Sequence, residues 1–425
     1  MPGQRVELVS RVVIVAKHLL WRVLYERSAV HDPWNPSRQG TIKSIVLIIV
    51  ALPLTVAVLP VVLLRRMTNR RLHLFVVKVH DQFAHLILAL EKARGERLGK
   101  KGMYIVVVKC QFRHSGFGHL YRRQTEGRIY WSIGFSALFG QAFLMLPRRL
   151  IDLTLITSDN LNDFALPEEP LAPSRKLVRL RGESFKKLGL QQSEYVAVSI
   201  YVSSRDEMED EGYRWKSEIR ETEGDTFGPS VDYLRNRNIE VFLLGVNDDG
   251  KARIPRKIPR LADVGKMGGM HEVAIASGCK YFWTDDSGGQ WTKEPFKLPT
   301  LVTNAPEALG IADQYNAKFS GRFFVVPLRF QTPSGHMLSI EEGLTFSHRR
   351  FEMFAKGNIA CVRNTSDDLV AAHTEVLARL DGTWLVSEEE LICREKINKL
   401  FERFPEFLKG TFLFSFLSKY PHLLE

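Results

Sequence analysis

Short apolar runs of strand length, each followed by a stretch with helical spacing, recur along most of this 425-residue chain. His73–Val79 (HLFVVKV), Met103–Val108 (MYIVVV), Tyr195–Val202 (YVAVSIYV), Glu240–Leu244 (EVFLL) and Lys280–Thr284 (KYFWT) are rich in β-branched and aromatic residues. Runs of that length and composition are buried strands. After the first, DQFAHLILALEKARGERLGKK sets Phe83, Leu86, Ile87 and Leu90 at helical spacing, with Gly95 as the expected stop. Strand, helix, strand in that order is the βαβ unit of a parallel sheet. A second series begins at Tyr195. Its helices are expected over Thr226–Arg237, with Val231, Tyr233 and Leu234 as apolar contacts, and over His271–Ser277. Leu301 and Val302 form a further short strand ending at Asn304. The fold class is therefore α/β.

Four segments follow from this pattern: residues 1–71, a first α/β domain at 72–185, a second at 186–390, and a helical tail at 391–425. Residues 158–175, rich in Asp, Asn, Pro and Glu, suit an interdomain linker. Residues 129–150 are strongly apolar, with no charge from Ile133 to Leu146, and end in Pro147-Arg148-Arg149. A core helix is the default there, and a pocket-lining or membrane-dipping helix is the alternative.

The first segment differs in kind. Ser44–Leu64 (SIVLIIVALPLTVAVLPVVLL) has no charged residue, with Lys43 before it and Arg65-Arg66 after it. It is long enough to cross about 30 Å of hydrocarbon as a helix, and Pro53 and Pro60 are tolerable there. A buried core helix is the competing reading, but the run is apolar on all faces. Upstream, over residues 9–25, Arg11, His18 and Arg22 share one helical face and Val12, Val13, Ala16, Leu19, Leu20 and Val23 spread over the rest, which suits the membrane interface; a second membrane span is the alternative, and Arg11, Lys17 and Arg22 argue against it. The excess of basic residues on the C-terminal flank places the large C-terminal part in the cytoplasm, anchored by a single pass in the inner membrane.

Charge supports this division. The chain has 59 Lys and Arg against 48 Asp and Glu, a net +11. Residues 1–71 carry eleven basic and three acidic residues, which accounts for +8 and leaves +3 for the rest. That distribution fits anionic lipid headgroups. No basic stripe with interleaved aromatics occurs in the soluble part, so nucleic acid is not an expected partner. The four cysteines (Cys110, Cys279, Cys361 and Cys393) form no C-x-x-C pair, which speaks against a zinc site or a disulfide framework. Free thiols fit a reducing compartment.

The loops carry the chemistry. Asp285-Asp286-Ser287-Gly288-Gly289 directly follows a strand. A Ser-Gly-Gly turn in that place exposes backbone N–H groups suited to phosphate oxygens, although ordinary strand-to-helix turns use the same residues. Asp285-Asp286 and Asp248-Asp249 are paired carboxylates that either bind a divalent metal or stay solvated. Gly265–Met270 (GKMGGM) lacks the spacing of a P-loop, and no H-E-x-x-H, G-x-S-x-G or kinase signature occurs. His85, His114, His119, His271 and His336 lie near loops as candidate acid–base groups, each with a structural reading beside it.

A resemblance gathers these features. Gly228–Leu244 (GPSVDYLRNRNIEVFLL), Ala276–Gly288 (ASGCKYFWTDDSG), Phe296, Pro299 and Asn304 in FKLPTLVTN, Leu338–Leu344 (LSIEEGL), Asn364-Thr365 and Arg379–Trp384 (RLDGTW) follow one another in a family's order. The chain resembles a family of glycosyltransferases found among bacterial surface-polysaccharide genes, itself distantly similar to heptosyltransferases and fucosyltransferases. Phe83-Ala84-His85-Leu86 stands where that family has a Gly-His-Leu turn. Ser199, Tyr201 and Ser203 stand where it tends to carry a His and an Arg, and Arg363 replaces an acidic residue. The resemblance implies two Rossmann-like domains in GT-B arrangement behind the membrane-anchoring segment. It implies transfer of a sugar from a nucleotide-sugar donor to a lipid-linked or polysaccharide acceptor, with no metal and no further cofactor required. The donor diphosphate would lie against Ser287, Gly288 and Gly289, with Asp286 and Gly245 on the same side. Arg205 and Lys266 would offset its charge, and His85 would be the base for the acceptor hydroxyl. A catalytically degenerate relative, serving as a membrane scaffold in the same pathway, is the alternative.

Overall fold

The computed structural model describes residues 51–60, 62–63, 72–78, 83–97, 103–109, 128–131, 142, 145–146, 151–157, 167, 169–190, 194–200, 224–244, 258–259, 269–285, 288–305, 323–345, 356–404 and 410–425. The chain forms two compact units. One comprises Met1–Val76, Lys101–Arg113 and Glu126–Leu155; the other comprises Val77–Lys100, His114–Thr125 and Ile156–Glu425.

The first unit is built on a four-stranded sheet of β1 (Leu72–Lys78), β2 (Met103–Lys109), β3 (Arg128–Trp131) and β4 (Ile151–Thr157), in the order β3-β2-β1-β4. β2 and β3 are parallel, with Ile105 opposite Arg128 and Val108 opposite Trp131. Leu74, Phe75, Val76 and Val77 of β1 are buried, as an apolar β-branched run requires. β3 takes residues 129–131 out of the helix expected over 129–150 and pairs them with β2; Ala142 is helical, and residues 132–141, 143–144 and 147–150 lie outside the described residues. β4 begins ahead of the expected linker.

The second unit holds a six-stranded, all-parallel sheet: β5 (Tyr195–Ser199), β6 (Glu240–Leu244), β7 (Tyr281–Thr284), β8 (Thr300–Ala305), β9 (Phe323–Pro327) and β12 (Thr411–Phe412). Their order is β12-β9-β8-β7-β5-β6. Two short antiparallel strands, β10 (Arg329–Gln331) and β11 (Ala360–Val362), lie beyond β9.

Side chains alternate between the two faces of the six-stranded sheet. Val196, Val198, Val241, Leu243, Tyr281 and Trp283 join a core with Val231 and Leu234 of the helix Gly228–Arg235, and with Leu369, Ala372 and Val376 of the helix Ser366–Leu380. Tyr195, Ala197, Phe242, Leu244 and Phe282 face the other way. They meet Phe185 of the helix Arg175–Lys187 and Ile275 of the helix Gly269–Ala276. The result is a helix–sheet–helix sandwich in which truncating a core leucine to alanine costs about 2–5 kcal/mol. Thr365 and Asp368 form a capping box at the start of Ser366–Leu380, satisfying two backbone donors reciprocally.

Three further expectations change. The helix Phe83–Arg97 passes through Gly95 and ends two residues later; Glu91, Lys92, Ala93 and Arg94 are all buried just before it, and their tertiary contacts outweigh the roughly 1 kcal/mol penalty of a helical glycine. Arg175–Lys187 is a helix where the linker was expected to end, capped by Ser174. The tail is helical over Glu388–Arg403 but then adds β12 to the sheet edge, and Phe412, Phe416 and Leu417 enter the main core.

Of the apolar run 44–64, residues 51–60 and 62–63 are helical. Among the described residues no helix is long and apolar enough to cross a membrane. Residues 9–25 and 44–50 lie outside the described residues.

Candidate functional site

Counted from β5, the neighbouring strands run 2-1-3-4-5, as β6-β5-β7-β8-β9. In such a sheet ligands bind outside the carboxyl ends of the strands, where the order reverses. That point lies between β5 and β7. The connection from β5 to β6 runs through Gly228–Arg235 on one face. The 3-10 helix Gly288–Phe296, which leaves β7, packs beside Gly269–Ala276 of the other face. Connections leaving in opposite directions open a crevice, and its two lips are the ends of β5 and β7.

Ser199 and Ile200 close β5, and Thr284 and Asp285 close β7; all four are buried. The indole N–H of Trp283 donates to Thr303 Oγ1 at 3.0 Å, and that hydroxyl donates to the Thr284 carbonyl at 3.4 Å. This chain of bonds fixes the strand end from which the turn departs. Gly288 and Gly289 then open the 3-10 helix, where the first backbone N–H groups have no partner within the helix itself.

The helix Phe83–Arg97, with His85 in its first turn, packs along Gly288–Phe296. Buried ions join them. Arg94 pairs with Glu91 through two nitrogens, and its Nη2 also donates to the Glu169 carbonyl at 2.7 Å. Lys297 pairs with Glu294 and stands 3.8 Å from Glu91. Lys293 Nζ lies 3.4 Å from Glu294 and 3.9 Å from the centroid of the Phe323 ring. Burial is the main influence on Lys293 and brings its ammonium pKa down to about 8. Deleting one member of such a pair typically costs about 3–5 kcal/mol, because it strands a buried charge. Lys297 also holds a positive φ of 52°, which a non-glycine residue keeps only when its surroundings demand it.

A second constraint holds the next strand end. Asn304, buried at the end of β8, has a φ of 47°. Its N–H donates to Asn364 Oδ1 at 2.6 Å, and the Asn364 N–H donates back to Asn304 Oδ1 at 2.7 Å. Asn364 Nδ2 donates to the Pro327 carbonyl at 3.0 Å. The reciprocal pair ties the carboxyl ends of β8 and β9 to the cap of Ser366–Leu380.

Deeper in the core, Tyr281 Oη meets His373 Nδ1 at 2.6 Å, and the ring of Trp283 stands edge-on to His373. Complete burial alone drives the His373 pKa down to about 3, so the ring is neutral. Cys279 and Cys361 are pushed up to about 12 by burial, which removes them as nucleophiles. His271 contacts Ser184 Oγ at 3.1 Å, and His336 pairs with Glu342 on the surface.

Of the residues expected to bind the donor, Gly288 and Gly289 open the 3-10 helix that follows β7; Gly245, Arg205, Lys266, Asp286 and Ser287 lie outside the described residues. His85 is placed by its backbone. His114 and His119 lie outside the described residues too. Among the described residues no group of three His, Cys, Asp or Glu gathers as a metal set. The network of Glu91, Arg94, Lys293, Glu294 and Lys297 was not singled out in the sequence. Its signal there is a run of charges inside an apolar helix, Leu90-Glu91-Lys92-Ala93.

No family model and no curated protein matches the sequence. Several solved structures are similar to it. A glycosyl transferase family 9 structure from Veillonella parvula DSM 2008 is 10% identical, with 72% of this chain and 98% of that chain covered, at a TM-score of 0.41. The ADP-heptose LPS heptosyltransferase II of E. coli is 14% identical over 67% of this chain and 98% of that chain, at a TM-score of 0.36. The dodecameric iron-containing heptosyltransferase TibC of enterotoxigenic E. coli H10407, in complex with ADP-D-β-D-heptose, is 12% identical over 73% and 77%, at 0.38. These structural neighbours are a glycosyl transferase of family 9 and two heptosyltransferases.

Proposed function

We propose that the chain is a membrane-associated glycosyltransferase. It moves a sugar from a nucleotide-sugar donor to a lipid-linked or polysaccharide acceptor in cell-surface glycan synthesis. The observation that carries this reading is that β7, at the reversal point of the six-stranded sheet, ends at Thr284 and is followed by a 3-10 helix that opens on Gly288 and Gly289. A parallel sheet concentrates ligand contacts there, and a glycine-opened turn offers N–H donors to a diphosphate.

In this scheme the donor diphosphate lies against Ser287, Gly288 and Gly289, beside Gly245 and Asp286. Arg205 and Lys266 offset the charge that develops as the bond from the anomeric carbon to the diphosphate breaks. His85 takes the proton of the acceptor hydroxyl as the new C–O bond forms. The turn's N–H groups and the basic side chains do the electrostatic work, so the scheme requires no metal. The apolar run 44–64 holds the enzyme at the inner membrane, with both α/β units on the cytoplasmic side.

Calorimetry on the full chain in detergent, against a panel of nucleoside diphosphates, tests the reading. Binding of at least one, weakened roughly tenfold or more by Gly288→Asp, is expected, since a carboxylate there opposes the diphosphate. Absence of binding to every member of the panel refutes it. Binding without transfer to any lipid-linked acceptor supports the scaffold alternative instead.

A further inference from the structure

We infer that one face of the helical stretch 51–63 is a lipid-contacting surface, and that its opposite face is packed against the protein's own apolar segment around residues 142–146. This rests on the membrane part of the proposed function and deepens it. A lone transmembrane helix would be surrounded by lipid. Here Ala51, Thr55 and Val62 form a buried stripe. Ala51 packs with Ala142 and Met145. The Thr55 hydroxyl donates to the Ala51 carbonyl at 3.0 Å and to the Ala142 carbonyl at 3.3 Å.

Leu52, Pro53, Val56, Ala57, Pro60 and Leu63 are exposed and share the other side of the helix. Val56 is 62% accessible. A helix packed on a protein and facing water is polar on its outer face; this one has no polar residue there. A continuous apolar face of that kind marks a contact surface.

Charge selects the occupant. Arg65-Arg66 and Arg70-Arg71 follow the helix directly, and Arg148-Arg149 follow the uncharged Ile133–Leu146. Two apolar segments that pack together each run into paired arginines. Apolar face and basic flank together fit an anionic bilayer surface, in which side chains enter the acyl boundary and guanidinium groups meet phosphates. The element is thus bipartite, and 142–146 is as much a part of the anchor as 51–63.

The test is flotation of the full chain, transferred from detergent, with vesicles of phosphatidylcholine alone or mixed with phosphatidylglycerol. The wild type is expected to float with the mixed vesicles. Arg148→Ala with Arg149→Ala should weaken that binding roughly thirtyfold, at about fivefold per basic residue. Leu52→Glu with Val56→Glu should abolish it, while Leu391→Glu with Ile392→Glu, two exposed apolar residues of the other unit, should not change it. Unaltered flotation of either the Arg148/Arg149 or the Leu52/Val56 variant overturns the inference. So does a loss of self-association in the Leu52/Val56 variant with vesicle binding intact, since the face would then belong to a second copy. Nucleoside diphosphate binding by the Leu52/Val56 variant should match the wild type, so a failed enzyme reading and a failed membrane surface give different results.

Discussion

Replacing Asn364 by alanine should be among the most damaging single changes at the carboxyl edge of the six-stranded sheet. The side chain accepts from the Asn304 N–H at 2.6 Å and donates to the Pro327 carbonyl at 3.0 Å. Asn304 and Asn364 are both almost fully buried, so neither main-chain group can turn to water. An unpaired buried group costs about 1–3 kcal/mol, and two of them put the loss at roughly 3–4 kcal/mol. The return bond, from the Asn364 N–H to Asn304 Oδ1, survives in Asn364→Ala because its donor is main chain. Asn304→Gly is the matching control. It removes that acceptor, but it also relieves a positive φ of 47° and deletes a buried amide nitrogen that has no partner. Its net effect should be below about 1 kcal/mol, since relief of an αL non-glycine residue offsets one lost bond. Urea unfolding followed by tryptophan fluorescence reads both variants, with Trp283 one strand away from Asn304 as an internal reporter. The expected result is a lowered midpoint with unchanged slope for Asn364→Ala and a midpoint near wild type for Asn304→Gly. A reversed ranking, or a loss under about 1 kcal/mol for Asn364→Ala, refutes the reasoning.

Two further outcomes follow from the same unit. His373 is held neutral with a pKa of about 3, whereas an unfolded chain takes up that proton near 6.5. Stability present above pH 6.5 is therefore lost progressively as the pH falls towards 3, by about 1.4 kcal/mol per pH unit at most; His373→Gln should flatten that part of the stability–pH curve, and an unchanged curve counts against the assignment. At Gly278 an added Cβ would stand 1.5 Å from Arg181 Nη1 and 2.9 Å from Tyr195 Oη. Gly278→Ala should therefore cost about 1–2 kcal/mol by expelling the guanidinium, and much less in an Arg181→Ala background, as a double-mutant cycle by thermal unfolding would show.

The strands of the six-stranded sheet were legible because burial on both faces leaves near-continuous apolar runs; Glu240–Leu244 matches β6 residue for residue. β4 was not, because Asp152 and Thr154 interrupt it and Leu153 and Leu155 point outward. Arg175–Lys187 was hidden by its charges: only Leu177, Leu180, Ser184 and Phe185 are buried, a stripe too narrow to stand out among seven basic and acidic residues. Gly288 and Gly289, which open the 3-10 helix after β7, stood out because glycines shortly after a strand are a local signal. Asn304 and Asn364 stand in segments that carry the resemblance, but their pairing emits no local signal. They are 60 positions apart, and only the parallel crossovers bring them face to face. The ion network of Glu91, Glu294 and Lys297 is likewise invisible to spacing, since its members come from opposite ends of the chain's α/β pattern.

The helix Phe83–Arg97 belongs to the compact unit of the six-stranded sheet, although the strands before and after it belong largely to the other. The backbone therefore passes between the units several times. No single cut in the gene can release the larger unit with all of its parts, and a fragment beginning after residue 155 would lack Glu91 and Arg94 and leave Lys297 with Glu294 but without Glu91. Fragment exchange between relatives would have to move these interleaved pieces together.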